Sequence, residues 1–350
     1  MWCSVPRRAR ALAYGEVCLP WDSIPAINQP RFVDASGAEL GPADPIVALE
    51  LLGRHRAYPV AILSRHEIVN DEVAGWPVVV TYCPLCNSAV AFSRDVAGRT
   101  LTFGVSGQLV GANLVMFDRQ TVSRWQQLTG HARSGPLEGA QLERLAVRMV
   151  AFGTWAEAHP DGRVLAEPAG SNYAYDVDPY AAYDVDPNQP SFVYDPPGIV
   201  GPSEPTDPRL PPKWRVMGVH ADDGAVAFPV PAGRGTTAVQ TARLGGRPLV
   251  ALFHFGLAQP GKAYLLSEAP RGWAGAVFVA RLGGRDLSFS PNGRRGFVEM
   301  GTGSRFDAFG RGVSGPLTRV ELRSVPQATA YWFSWSHFYP ETRVAAGHLG

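Results

Sequence analysis

Lysine is almost missing from this 350-residue chain, with Lys213 and Lys262 the only two. The other basic side chains are arginines, scattered rather than clustered, and the formal net charge is +1. A nucleic-acid partner needs a gathered basic face, so none is expected. Cysteine is scarce too, at positions 3, 18, 83 and 86. Four thiols are too few to staple a secreted scaffold of this size. No run reaches the roughly 18 apolar residues of a spanning helix, so no transmembrane segment is expected. The N-terminal stretch carries Arg7-Arg8, but Ala9 to Pro20 holds Arg10, Glu16 and no sustained apolar core. As written it is a poor signal peptide and reads as cytoplasmic.

What is present favours strands. Glycine (38) and proline (31) are abundant, which suits many short strands and turns better than long helices. A hydrophobic content of 45% describes an ordinary soluble globular protein. The length allows one large domain or two ordinary ones.

An internal repeat organises the chain. Ser134-Gly135-Pro136-Leu137 recurs as Ser314-Gly315-Pro316-Leu317, with Trp155 and Trp335 each 18 positions after the leucine. Ser123-Arg124-Trp125 matches Ser304-Arg305-Phe306, and Ala57-Tyr58-Pro59-Val60 matches Ala227-Phe228-Pro229-Val230. Order is kept throughout, so the expected architecture is mainly β (α+β with few short helices), built from two tandem homologous units related by a pseudo-twofold. Residues 1–44 form an N-terminal extension, 45–165 the first unit, 166–214 a connecting strap, and 215–345 a second, degenerate unit. The strap is rich in proline, with eleven between Pro168 and Pro212, and holds Tyr173, Tyr175, Tyr180, Tyr183 and Tyr194. That mixture predicts an ordered, irregular segment lying over one unit.

Locally, Val90–Ser93 and Thr100–Phe103 flank Val96-Ala97-Gly98 and read as a hairpin. Leu114–Phe117 reads as a strand. Thr154 is expected to N-cap a short helix reaching His159.

Chemistry concentrates after the strand Val78-Val79-Val80-Thr81-Tyr82. Pro84 has no N–H for a sheet ladder and should end that strand near Cys83. Cys83-Pro84-Leu85-Cys86 then sets two thiols three positions apart, which suits a redox dithiol, a metal site or two buried structural cysteines. The second unit has His254-Phe255-Gly256-Leu257 in that place. The cluster His66-Glu67-Ile68-Val69-Asn70-Asp71 is likewise confined to the first unit. His66 is a candidate base or cationic partner for Cys83, with Glu67 or Asp71 orienting its ring. The competing local reading makes Ser64 an N-cap and Glu67 its capping-box partner. Cys3 and Cys18 complete a four-thiolate set only at an unsuitable spacing, so His66 is the better third metal ligand.

Together the stretches His66 to Asp71, Gly75-Trp76-Pro77, Thr81 to Cys86, Asp118-Arg119-Gln120-Thr121 with Ser123 and Trp125, and Trp332-Phe333-Ser334-Trp335 with Phe338-Tyr339-Pro340 resemble the DUF3179 family, a domain of unknown function. The resemblance spans about 45–345. Some members look like selenoproteins, which implies redox chemistry at the Cys83–Cys86 turn. Many resemble exported proteins or lipoproteins, which implies export. Others replace the second cysteine by threonine.

The leading expectation is a thiol-based redox protein using Cys83 and Cys86, assisted by His66, Glu67 and Asp71. It acts on a small-molecule oxidant or a protein disulfide and requires no cofactor. The alternative is a copper or zinc site of Cys83, Cys86 and His66. A third is a non-enzymatic binding module with structural cysteines.

Overall fold

The computed structural model describes residues 16–17, 19–181, 183–184, 186, 188, 192–194, 198–200 and 206–346. The fold is mainly β, with three short α-helices among the described residues. Cys3 and Cys18, and parts of the strap, lie outside them.

The first half begins with a hairpin, β1 (Pro45–Leu51) and β2 (Arg54–Pro59), followed by α1 (Val60–His66). A meander comes next: β3 (Ile68–Val73), β4 (Trp76–Cys83) and β5 (Ser88–Ser93). Four more strands follow: β6 (Phe103–Val110), β7 (Asn113–Asp118), β8 (Arg124–Gln126) and β9 (Ala132–Ser134). The half closes with β10 (Val147–Ala151), α2 (Phe152–Ala158) and β11 (Arg163–Leu165).

The second half opens with β12 (Arg215–Ala221) and β13 (Gly224–Pro229), then a meander of β14 (Thr237–Leu244), β15 (Arg247–Ala258) and β16 (Arg271–Val279). It continues through β17 (Phe289–Pro291), β18 (Phe297–Glu299), β19 (Arg305–Phe306) and β20 (Gly312–Ser314). It ends with β21 (Ala328–Tyr331), α3 (Trp332–Phe338) and β22 (Arg343–Val344).

The pairing follows the same scheme in both halves. β10 runs antiparallel to β1 and β11 parallel to β2; β21 runs antiparallel to β12 and β22 parallel to β13. Each set of four short strands forms an antiparallel sheet in chain order. The halves are also sewn together. β21 pairs with β5 through Thr329 and Ala89, so strands from both halves share one eight-stranded sheet. β10 in turn packs alongside β16.

The repeated sequence motifs make matching turns. Asp118 accepts hydrogen bonds from the Thr121 N–H (2.6 Å), the Thr121 hydroxyl (2.8 Å) and the Trp125 indole (2.9 Å). Glu299 accepts from the Thr302 N–H (2.8 Å) and hydroxyl (2.6 Å). The Ser123 and Ser304 hydroxyls accept from Leu137 N (3.0 Å) and Leu317 N (2.9 Å). Gly135 and Gly315 have positive φ, and a Cβ on either would meet the serine backbone at 2.7 or 2.8 Å. Only glycine fits there.

Several local expectations are corrected. Thr154 is not an N-cap: α2 starts at Phe152, and no side chain caps it. Its first N–H groups bond instead to the carbonyls of Asp44 (2.9 Å) and Pro42 (2.8 Å), and α3 is served likewise by Trp214 and Pro212. Backbone from a neighbouring segment thus replaces a capping side chain. Ser64 lies inside α1 rather than before it, and Glu67 is its C-cap, with φ 56°. The turn at Ala97-Gly98 does close a hairpin, but only of Asp95–Val96 with Arg99–Thr100. β5 pairs with β4, and β6 with β7.

Candidate functional site

β4 is buried from Val78 to Cys83 and ends at that cysteine. Pro84 opens a single 3-10 turn, Pro84–Cys86, which closes on Asn87 in the left-handed conformation. β5 starts at once with Ser88 paired to Cys83. Asn tolerates left-handed backbone better than most residues, and the Tyr82 hydroxyl fixes its side chain by donating to Asn87 Oδ1 at 3.1 Å. The turn is tight enough to aim both thiols into the core.

Both cysteines are free and buried, Cys83 at 2% exposure and Cys86 at 0%. They pack in one cluster with Ile68, Val90, Trp332 and Trp335. The Cys86 sulfur receives the Asn113 amide at 2.8 Å and lies 3.1 Å from the Ser88 hydroxyl. Gln127 braces both donors: its Oε1 accepts from Ser88 and Asn113 at 2.8 Å each, and its Nε2 donates to Thr81 Oγ1 at 3.0 Å. The Ser334 hydroxyl, contributed by α3, lies near the same sulfur.

These groups divide the roles of the two thiols. Burial works against a charge on Cys86, yet the Cys83 thiol, the Ser88 hydroxyl and the Asn113 amide outweigh it and hold Cys86 below its ordinary value. Burial first, then the adjacent Cys86, pushes Cys83 well above its own. The preferred ionised form is therefore a Cys86 thiolate beside a Cys83 thiol.

Glu67 is the member of the upstream cluster whose charge is felt at the dithiol. Burial, followed by the Cys86 charge, raises its carboxyl to about 8. It is thus a neutral acid at pH 7 beside a site that favours negative charge.

His66 and Asp71 sit elsewhere. His66 ends α1, and the positive φ of Glu67 turns the chain between them. The His66 Nδ1 donates to the Pro25 carbonyl at 2.7 Å, which leaves Nε2 to accept from the Tyr175 hydroxyl at 2.8 Å. Asp71 accepts from the Tyr58 hydroxyl at 2.6 Å and faces Arg56 at 3.9 Å. Neither is among the hydrogen-bond or charge partners described for the two thiols. A groove of about 810 Å³ beside Tyr175, lined by Leu40, Ile62 and Leu165, likewise has neither cysteine in its wall.

The strap covers the turn from outside. Tyr183 is buried and donates its hydroxyl to the Leu85 carbonyl at 2.5 Å. Asp178 anchors the same segment to the second half, accepting from Gly261 N at 2.6 Å. Between strap and turn lies a void of about 10 Å³, lined by Tyr82, Pro84, Asp178, Tyr183 and Tyr331. That is room for about one water molecule.

Sequence reasoning missed Ser88, Asn113, Gln127 and Ser334. Only Ser88 had a local signal, as the first residue of the strand after the turn. In Trp332-Phe333-Ser334-Trp335 the aromatic side chains are buried in the core, and Ser334 between them lies near Cys86.

A family model described as "Protein of unknown function (DUF3179)" matches residues 21–342. No curated protein and no solved structure matches the chain.

Proposed function

We propose, for a chain that belongs to the DUF3179 family and takes no named activity from it, a thiol-based redox function in which Cys86 attacks a small oxidant of the hydroperoxide class. The observation that carries this reading is the Asn113 amide held 2.8 Å from the Cys86 sulfur, with Ser88 Oγ 3.1 Å away and Gln127 fixing both groups. Donors fixed around a buried sulfur favour its thiolate, the reactive form. The burial of both thiols favours a small oxidant over a protein disulfide, which needs an exposed sulfur.

The steps balance as follows. The Cys86 thiolate takes the terminal oxygen of the hydroperoxide, giving a sulfenic acid and the alkoxide or hydroxide. Glu67, neutral at pH 7, is the nearby acid that supplies the proton this leaving oxygen needs. The Cys83 sulfur then attacks Cys86, forming a disulfide and releasing water. Two electrons pass from the dithiol to the peroxide.

A copper or zinc site of Cys83, Cys86 and His66 is less well supported, because Pro25 and Tyr175 already engage both ring nitrogens of His66.

The test is hydrogen peroxide treatment of the native, reduced protein, followed by mass spectrometry. The expected product is an intramolecular Cys83–Cys86 disulfide. Cys83→Ser should stop at a sulfenic acid that dimedone traps, and Cys86→Ser should not react. A pair that stays reduced and unmodified in the folded wild type would leave only the structural reading.

A further inference from the structure

Away from the dithiol, the fold gathers three groups of metal-binding type that the sequence keeps apart. Glu50 and His55 are a direct cross-strand pair of the β1–β2 hairpin, and His159 is the C-cap of α2. One ligand atom from each lies within 4.8 Å of those from the other two. His159 is buried at 3% exposure, and its ring centroid is 3.8 Å from that of His55. The Nδ1 of His55 is buried with no hydrogen-bond partner. Paired strands and a helix end hold the three backbones, so little rearrangement separates this cluster from a closed site.

The second half carries the same scaffold without the same side chains. The equivalent cross-strand pair of β12–β13 is His220 and Ala225. Tyr339 takes the C-cap of α3, its ring 4.7 Å from that of His220. That place holds one imidazole and no carboxylate. The hairpin and helix end therefore do not themselves require a Glu-His-His set.

Arg311 is the apparent obstacle. Its Nη2 is 3.1 Å from both ring nitrogens of His159. One atom cannot lie on both in-plane lone-pair axes, so neither contact is a well-directed hydrogen bond. Arg311 is held by the Ala158 carbonyl at 3.0 Å and by Glu321 at 3.6 Å, and its Nη2 also lies 4.0 Å from Glu50, so a metal entering here displaces that Nη2 while the other two anchors keep the side chain nearby. Arg148 lies 3.9 Å from Glu50. On the Glu50 side of the cluster a cavity of about 410 Å³ opens, with Glu50, Arg148, Arg311, Glu321 and Arg323 but neither histidine in its wall. Guanidiniums so close repel a bare dication but attract an anion bound to it.

We propose that Glu50, His55 and His159 bind a divalent transition metal of the zinc, copper or nickel class, whose open coordination positions face the arginine-lined cavity and take an oxyanion. Imidazole and carboxylate donors suit that class. The oxyanion offsets the arginines that otherwise oppose the metal.

The experiment uses the full chain, stripped with chelator and titrated with Co²⁺ by visible absorption, with and without inorganic phosphate. Zn²⁺ competition then gives the zinc affinity. One metal per chain is expected, with ligand-field bands, no thiolate-to-cobalt band in the near ultraviolet, and tighter binding with phosphate. Glu50→Gln, at an exposed position, and His55→Ala should each weaken binding by more than about tenfold. Cys83→Ser, Cys86→Ser and His220→Ala should leave it unchanged, with circular dichroism confirming that each variant is folded. Absence of Co²⁺ and Zn²⁺ binding by the folded wild type overturns the site. So does binding that shows the thiolate band and is lost in the cysteine variants, which places the metal at the dithiol instead. Binding indifferent to phosphate removes the oxyanion from the proposal.

Discussion

The middle strands of the two meanders, β4 and β15, start alike and end differently. β4 runs into a one-turn connection and reaches β5 at Ser88. β15 runs on through a bulge at Gly256 to Ala258, and a longer connection returns it to β16. Cys83 stands where β15 has His254. The cysteine's neighbour on the turn, Cys86, receives the Asn113 amide and lies against the Ser88 hydroxyl, whereas both ring nitrogens of His254 are buried with no partner. One position is provided with polar company and the other is not. Features common to both halves, such as the Asp118 and Glu299 turns, serve the scaffold. The polar ring around Cys86 has no such counterpart, which makes it the better candidate for chemistry.

The largest expected effect tests how far the halves are one body. Trp125 and Phe306 occupy matching places in β8 and β19, and both are fully buried. Trp125→Ala and Phe306→Ala should each cost about 3–5 kcal/mol, the usual range for emptying a buried aromatic site. Because β21 and β5 share a sheet, both variants should unfold in one transition in urea. Two separated transitions in either variant would show that the halves fold independently.

A smaller effect comes from Glu67 and His254, and the signs are opposite. Glu67 is raised from 4.5 to about 8 by burial and by Cys86. The folded state thus keeps a proton that the unfolded state has lost, and stability falls as pH rises from 4.5 through about 8. Glu67→Gln, neutral and similar in shape, should remove that decline and stabilise the protein at pH 8 by about 4 kcal/mol. Burial lowers His254 from 6.5 to about 4. Here the unfolded state holds the extra proton, so stability falls as pH drops from 6.5 through about 4. His254→Phe should make the acid side less steep, with a gain of about 2 kcal/mol at pH 5, and leave the slope that His159, lowered to about 3, contributes. Denaturation midpoints measured from pH 4 to pH 9 decide both. If Glu67→Gln leaves the alkaline slope intact, the carboxyl is not the buried neutral acid described here.

Much of this was legible in the chain, for identifiable reasons. Strand content followed from β-branched runs and turn residues, and the end of β4 from the missing N–H of Pro84. The Ser123/Ser304 and Gly135/Gly315 matches marked turns with the same hydrogen bonds. The starts of α1 and α2 were misread because hydroxyl spacing at Ser64 and Thr154 imitates a cap, while the first N–H groups of α2, like those of α3, donate to backbone carbonyls distant in sequence. At the site, the cysteines and Glu67 were legible because one strand and one helix end place them. His66 and Asp71 hydrogen-bond to Pro25, Tyr175 and Tyr58, a divergence from Glu67 that sequence adjacency hides because the chain reverses at that positive-φ residue. Asn113 and Ser334 had no signal, since only tertiary pairing brings β7 and α3 to Cys86.

The smallest effect concerns the strap. On the dithiol turn, Tyr183 donates its hydroxyl to the Leu85 carbonyl. Toward the β15–β16 connection the strap both donates and accepts: Asp178 N donates to the Tyr264 carbonyl (2.9 Å), Asp184 N to the Gly261 carbonyl (3.0 Å), and the Asp178 carboxylate accepts from Gly261 N. Tyr183→Phe removes one hydrogen bond and almost no volume, so global stability should fall by only about 1 kcal/mol. If reagents reach the thiols by local release of the strap, the same about 1 kcal/mol appears as an easier opening. Alkylation of Cys83 and Cys86 in the native protein should then quicken about fivefold. An unchanged alkylation rate alongside the expected loss of stability would mean that access runs by another route, and that the strap anchors the fold without gating the dithiol.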